Sequence, residues 1–95
     1  MKNVILLISV IEKIIELLVF VGESNWAGSF NSFRQKCDNA SVENLDILRN
    51  EILRIYGGMG SFNDLVLYKQ GQPMIKENQK LDELRTELFR ILNDR

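Results

Sequence analysis

The first twenty residues alternate apolar and polar positions with a helical period. Ser9, Glu12, Lys13, Glu16 and Glu23 recur at helical spacing, while Val4, Leu7, Ile8, Ile11, Ile15 and Leu18 fill the opposite face. The pattern predicts one long, heavily buried helix from Asn3 to Val21. Apolar residues cover so much of its circumference that neighbours must pack on more than one side. That implies a central position or a second, intermolecular contact, and leaves Leu6, Val10 and Phe20 to explain. Gly22 can end this helix, and Ser24 or Asn25 can cap the next by accepting a hydrogen bond from a free amide. Trp26, Phe30, Phe33 and Cys37 then follow at steps of four, three and four, placing three aromatics and a thiol on one stripe. At that spacing core packing is favoured over a ligand platform, and Cys37 reads as a small buried hydrophobe.

Asp38 to Ser41 form a turn, with Ser41 where a cap belongs ahead of Val42, Leu45, Leu48, Ile52 and Ile55. A third helix is predicted to about Tyr56, with a solvated outer face. Glu43 and Asp46 lie in its first turns and Arg49 and Arg54 nearer its end, the order that the helix dipole favours. Glycine clusters only in Gly57-Gly58-Met59-Gly60. There Gly57 or Gly58 can take the left-handed conformation that ends a helix, and at least one of Gly57, Gly58 and Gly60 is expected at positive φ. Leu65 to Tyr68 and the turn Gln70 to Pro73 make either a small hairpin or an extended excursion. The last helix carries Leu81, Leu84, Leu88 and Ile91, with Phe89 and Leu92 widening the stripe and Asn78 as its cap. Lys80 with Glu83, Asp82 with Arg85 and Glu87 with Arg90 stand at i,i+3, each pair contributing only ~0.2 to 0.5 kcal/mol, and mark an exposed face. The predicted fold is mainly all-α: one domain over residues 1–95, with four helices and a hairpin or excursion between the third and fourth.

Composition narrows the function. A chain of 95 residues, 45% apolar and 26% charged, matches one folded domain and not a disordered one. A net charge of −1 gives none of the attraction on which nonspecific nucleic-acid binding depends. The absence of histidine, with Cys37 the lone cysteine, excludes histidine-based triads, tetrahedral zinc sites and haem ligation by histidine, so no metal and no cofactor is expected. A lone thiol fits the cytoplasm. Lys2 and the run Val4 to Val10 have the outline of a signal peptide. Glu12, Lys13 and Glu16 nevertheless interrupt the run well before the ~20 residues of a membrane span, and no cleavage site follows, so a core helix is expected instead.

The remaining motifs read as structure. Gly-Gly-Met-Gly-Ser lacks the spacing and the lysine of a phosphate loop and follows a helix where a dinucleotide fingerprint follows a strand, so turn chemistry accounts for it. Carboxylate pairs such as Asp82 with Glu83 or Glu12 with Glu16 lie on faces that read as solvated, with no second catalytic group nearby. An enzyme is therefore not expected.

Ile55-Tyr56-Gly57-Gly58-Met59-Gly60-Ser61-Phe62-Asn63-Asp64-Leu65-Val66-Leu67, then Gly71-Gln72-Pro73, with Asn25-Trp26-Ala27 upstream, resembles a family of small bacterial domains of unassigned function in which a helix ends in this glycine turn. The resemblance runs from about Leu17 to Leu92. In size and style such proteins look similar to immunity proteins that neutralise secreted toxins, including those of contact-dependent growth inhibition. The resemblance implies a protein-binding role with a cognate toxin domain as partner. Immunity proteins to nucleases are often strongly acidic, so with a net charge of −1 any acidic patch here must be local, with Glu77, Asp82, Glu83 and Glu87 as candidates. The expected binding residues are Phe62, Asn63, Asp64 and Tyr68 on the excursion, with its exposed aromatics as anchors, and Asp82, Glu83 and Glu87 on the last helix, with charge for steering. The rival class is a homo-oligomeric structural or adaptor protein, in its simplest form a homodimer, prompted by the apolar excess of the first helix.

Overall fold

The computed structural model describes residues 3–38, 40–57 and 60–94. Lys2 and Gly58, assigned above to a basic leader charge and a helix-ending glycine, lie outside the described residues. Asn3 starts α1 (Val4–Val21), its side chain accepting the Leu6 amide at 3.0 Å, and Gly22 at φ 81° closes it. One left-handed residue is enough to reverse the chain, so α2 (Ser24–Cys37) begins at once. Glu23 holds the cap position without a side-chain bond, and neither Ser24 nor Asn25 serves as the cap, because both already lie inside the helix. Ser41 does cap α3 (Val42–Arg54), accepting the Asn44 amide at 3.1 Å. That helix stops short of Tyr56, and Ile55 and Tyr56 continue as turns.

The glycine cluster works differently from the expectation for its first member. Gly57 is not left-handed; among the described members of the cluster Gly60 is, at φ 74°, as expected of at least one of the three. A single 3-10 turn (Phe62–Asp64) follows, then strands β1 (Tyr68–Lys69) and β2 (Gln72–Pro73) of a minimal antiparallel hairpin. Its two-residue loop places Gln70 at φ 53° and Gly71 at φ 77°, the pair of positive angles that a type I′ turn requires. Met74 holds the cap position of α4 (Ile75–Asn93), so Asn78 is inside the helix and does not cap it.

α1 packs on both α2 and α4, while α3 bridges α2 and α4 more lightly, making a mainly helical single domain about 43 Å long and 21 Å across. The central position expected of α1 is therefore observed: Leu7, Val10, Ile11, Ile14 and Leu18 are buried, each stabilising the fold by roughly 1.5–3 kcal/mol relative to exposure. So narrow a bundle cannot cover the whole helix, and Ile5, Leu6, Val19 and Phe20 face outward. On α2, Phe30, Phe33 and Cys37 are buried as expected, whereas Trp26 is only half-buried at the edge of the core. On α3 the buried stripe excludes Val42, which is exposed in the first turn. No helix among the described residues is long and apolar enough to cross a membrane.

Candidate functional site

The inward stripe of α4 contains two polar residues. Met74, Asn78, Leu81, Arg85, Leu88 and Leu92 follow at steps of four, three, four, three and four, so all six face the bundle. A polar side chain at such a position needs partners, because an unsatisfied buried group costs about 1–3 kcal/mol. Both find them in the segment that joins α3 to α4. The Asn78 side-chain amide donates to the Leu67 carbonyl at 3.0 Å and its oxygen accepts the Leu67 amide at 2.8 Å, pairing with the backbone as a neighbouring strand would. Arg85, only 8% exposed, donates through one terminal nitrogen to the carbonyls of Phe62 (2.8 Å), Leu65 (2.9 Å) and Asn63 (3.3 Å). That nitrogen has two hydrogens for three acceptors, so the longest contact is a shared one. The other terminal nitrogen donates to Asp82.

This arrangement explains why Phe62 is fully buried, against the expectation of an exposed anchor. The turn at Gly60 points the chain back, the Phe62 amide donates to the Ile55 carbonyl at 2.8 Å, and the ring enters the core. There it meets Trp26, Phe30 and Tyr56 at centroid distances of 5.3, 4.7 and 6.0 Å, with the Arg85 guanidinium 5.8 Å from its centre. Tyr56 donates its hydroxyl to the Arg85 carbonyl at 2.9 Å. Burial raises the Tyr56 phenol above its ordinary range, partly offset by the Arg85 charge. The Cys37 thiol is likewise raised by burial, which keeps it in the unreactive protonated form.

Where the pinned segment meets α4 a groove opens, about 430 Å³ in volume, lined by Tyr56, Asn63, Asp82, Arg85, Thr86 and Phe89. The Tyr56 and Phe89 rings meet at 5.3 Å in a tilted contact with their planes 57° apart, and Phe89 is half-exposed. Asp82 and Thr86 also border a shallower groove with Glu83, Glu87 and Arg90. Of the residues expected to bind a partner, the structure thus joins Asn63, Asp82, Glu83 and Glu87 into one continuous surface. Asp64 and Tyr68 are exposed but lie outside both grooves, and Phe62 is buried and lines neither. Arg85 was expected on an exposed face as the partner of Asp82; the ion pair exists, but the arginine is inward and the aspartate outward. Glu87 and Arg90 approach to 4.0 Å.

Sequence periodicity missed Tyr56, Arg85, Thr86 and Phe89 as site residues. For Arg85 a signal was present: it stands one helical step from each of Leu81 and Leu88, on the buried side. No comparable signal marks Thr86. Among the described residues no three His, Cys, Asp or Glu side chains come together as metal ligands.

Fold and site together define a small, mainly helical domain with a preformed surface groove and an acidic helix face beside it. The chain belongs to a family described as a domain of unknown function, DUF6966, which it matches over residues 20–75. The matched span takes in α2, α3 and the pinned segment and ends at the first residue of α4. Among curated proteins and solved structures nothing matches the chain.

Proposed function

We propose that this chain is an immunity protein: it binds a bacterial toxin domain encoded beside it and blocks the toxin's active site or a surface needed to reach substrate. The observation that carries the protein-binding reading is the continuous surface on α4, where a groove of fixed shape adjoins Asp82, Glu83 and Glu87. A surface held rigid before binding loses little conformational entropy on association, and an acidic rim accelerates encounter with a basic partner. The identity of the partner is supported by the likeness in size and style to immunity proteins, and the proposed place of action is the cytoplasm. A standard interface takes about 800 Å² from each partner, roughly an eighth of the 6182 Å² this chain exposes, so α4 and the pinned segment would be covered together.

The test is protection. Cells expressing the neighbouring toxin domain should survive when this chain is co-expressed, and the purified pair should associate below micromolar concentration. No protection and no association would remove the immunity reading. A second reading, a homo-oligomeric adaptor, is favoured by the exposed Ile5, Val19 and Phe20 of α1. Sedimentation of the chain alone separates the two: a monomer is expected of the immunity protein, a stable oligomer of the adaptor.

A further inference from the structure

We infer that the groove between the 3-10 turn and α4 receives a basic side chain, arginine or lysine, projected by the protein partner; this rests on the protein-binding reading above. Part of the lining is aromatic. The Tyr56 hydroxyl is engaged by the Arg85 carbonyl, so what Tyr56 and Phe89 add to the groove is ring surface. Aromatic surface attracts a cation through its quadrupole and accepts the aliphatic stem of arginine or lysine. The rest of the lining is polar. The Asp82 side chain is 70% exposed, and Arg85 engages one of its oxygens, leaving the other for a second donor. Asn63 and Thr86, both exposed, stand beside it.

Charge decides between occupants. Arg85 lines the groove, but its donors point to the carbonyls of the 3-10 segment and to Asp82, so the Arg85–Asp82 pair is internally balanced and any net charge must come from beside the groove. The adjoining face adds Glu83 and Glu87 against the single Arg90. An acidic side chain entering here would face the negative balance of that adjoining face. An apolar one would strip water from Asp82 and Asn63 and give them no partner, a cost that a guanidinium or ammonium group avoids. A separate, more apolar groove between α1 and α4 is lined by Lys13 and Lys80 with Glu16, Leu17 and Phe20, so it lacks this acidic character.

The experiment titrates the isotope-labelled full chain with a short glycine-serine peptide carrying two arginines, while backbone amide shifts are followed by NMR. The same peptide with glutamine, and then glutamate, in place of arginine serves as control. The expected result is a set of shifts centred on Asn63, Thr86 and Phe89 for the arginine peptide alone. Thr86→Lys, which adds a competing cation, and Phe89→Ser, which removes part of the aromatic lining, should each weaken binding about tenfold, and both positions are exposed enough to leave the fold intact. Equal shifts with the glutamine peptide, shifts centred on Lys13 and Phe20, or unchanged binding by both variants would overturn the inference. Capture of the neighbouring toxin domain separates this from the broader reading. A toxin held equally by wild type and Thr86→Lys refutes the groove while leaving the immunity role. An arginine peptide bound at the groove with no toxin captured supports the groove and refutes the immunity role.

Discussion

Helix α1 and the segment from Gly60 to Met74 are both held against the same bundle, but by different means. α1 buries five large aliphatic side chains, and its polar side-chain contact with another element among the described residues is the solvent-facing Glu12–Arg34 ion pair at 3.6 Å. The segment buries only Ser61, Phe62 and Leu67, and is fastened by directed bonds from Arg85 and Asn78 to its backbone. Apolar burial scales with area and tolerates changes of shape, whereas hydrogen bonds depend on geometry and chemistry. The contrast is functional as well: the fastened segment brings Asn63 to the groove, and it is held there by side chains of the helix that supplies Asp82, Arg85, Thr86 and Phe89.

The largest effect should come where both means meet. Phe62→Ala removes the centre of the aromatic cluster and is expected to cost ~3–5 kcal/mol in urea denaturation. A loss under ~1 kcal/mol would show that the segment contributes little to the core. Next in size is a pair of conservative changes. Arg85→Lys keeps the charge but loses the planar fork, leaves carbonyls unpartnered and should cost ~2–3 kcal/mol, while Ile11→Val in α1 should cost only about 1 kcal/mol. Equal losses would erase the distinction between directed and undirected contacts. Asn78→Ala should cost ~1–2 kcal/mol, and hydrogen exchange should accelerate at Leu67 and in the hairpin ahead of α1.

The smallest effect appears only in alkali. Both states of Tyr56 are protonated below pH ~10, the ordinary tyrosine value, so the group adds no pH dependence there. Its folded pKa is raised by burial. As the pH climbs past 10 the unfolded chain loses this proton while the folded chain keeps it, and stability falls by up to ~1.4 kcal/mol per pH unit. Tyr56→Phe should remove that decline while costing about 1 kcal/mol at neutral pH for the lost hydrogen bond to Arg85. Parallel alkaline slopes for wild type and variant would show that Tyr56 titrates as a free phenol.

The same contrast accounts for what could be read in the chain beforehand. Periodicity located all four helices, because aliphatic burial leaves a repeat, and Gly22 and Ser41 were legible as stop and start signals because their backbone roles are local. The segment was not legible in the same way. Phe62 stands among glycine, serine, asparagine and aspartate, a composition that signals a surface turn; its burial depends on Arg85, 23 residues further on. Asn78 sits at a polar position near a helix start, where capping and bonding to a distant backbone look alike in sequence. The acidic residues of α4 were visible as an exposed face, but that Asp82 borders an aromatic groove and Glu83 and Glu87 extend its rim required the packing of Tyr56 against Phe89.

The most direct test of the proposed binding face is the rate of association between this chain and the neighbouring toxin domain, measured across a range of salt concentrations. The triple change Asp82→Lys, Glu83→Lys and Glu87→Lys is paired with wild type. If α4 steers the partner, the wild-type rate falls steeply with salt, and the variant associates about tenfold or more slowly at low salt with a flattened dependence, while its helical content is unchanged. Identical rates and identical salt dependence for the two proteins would contradict it and move the interface away from α4.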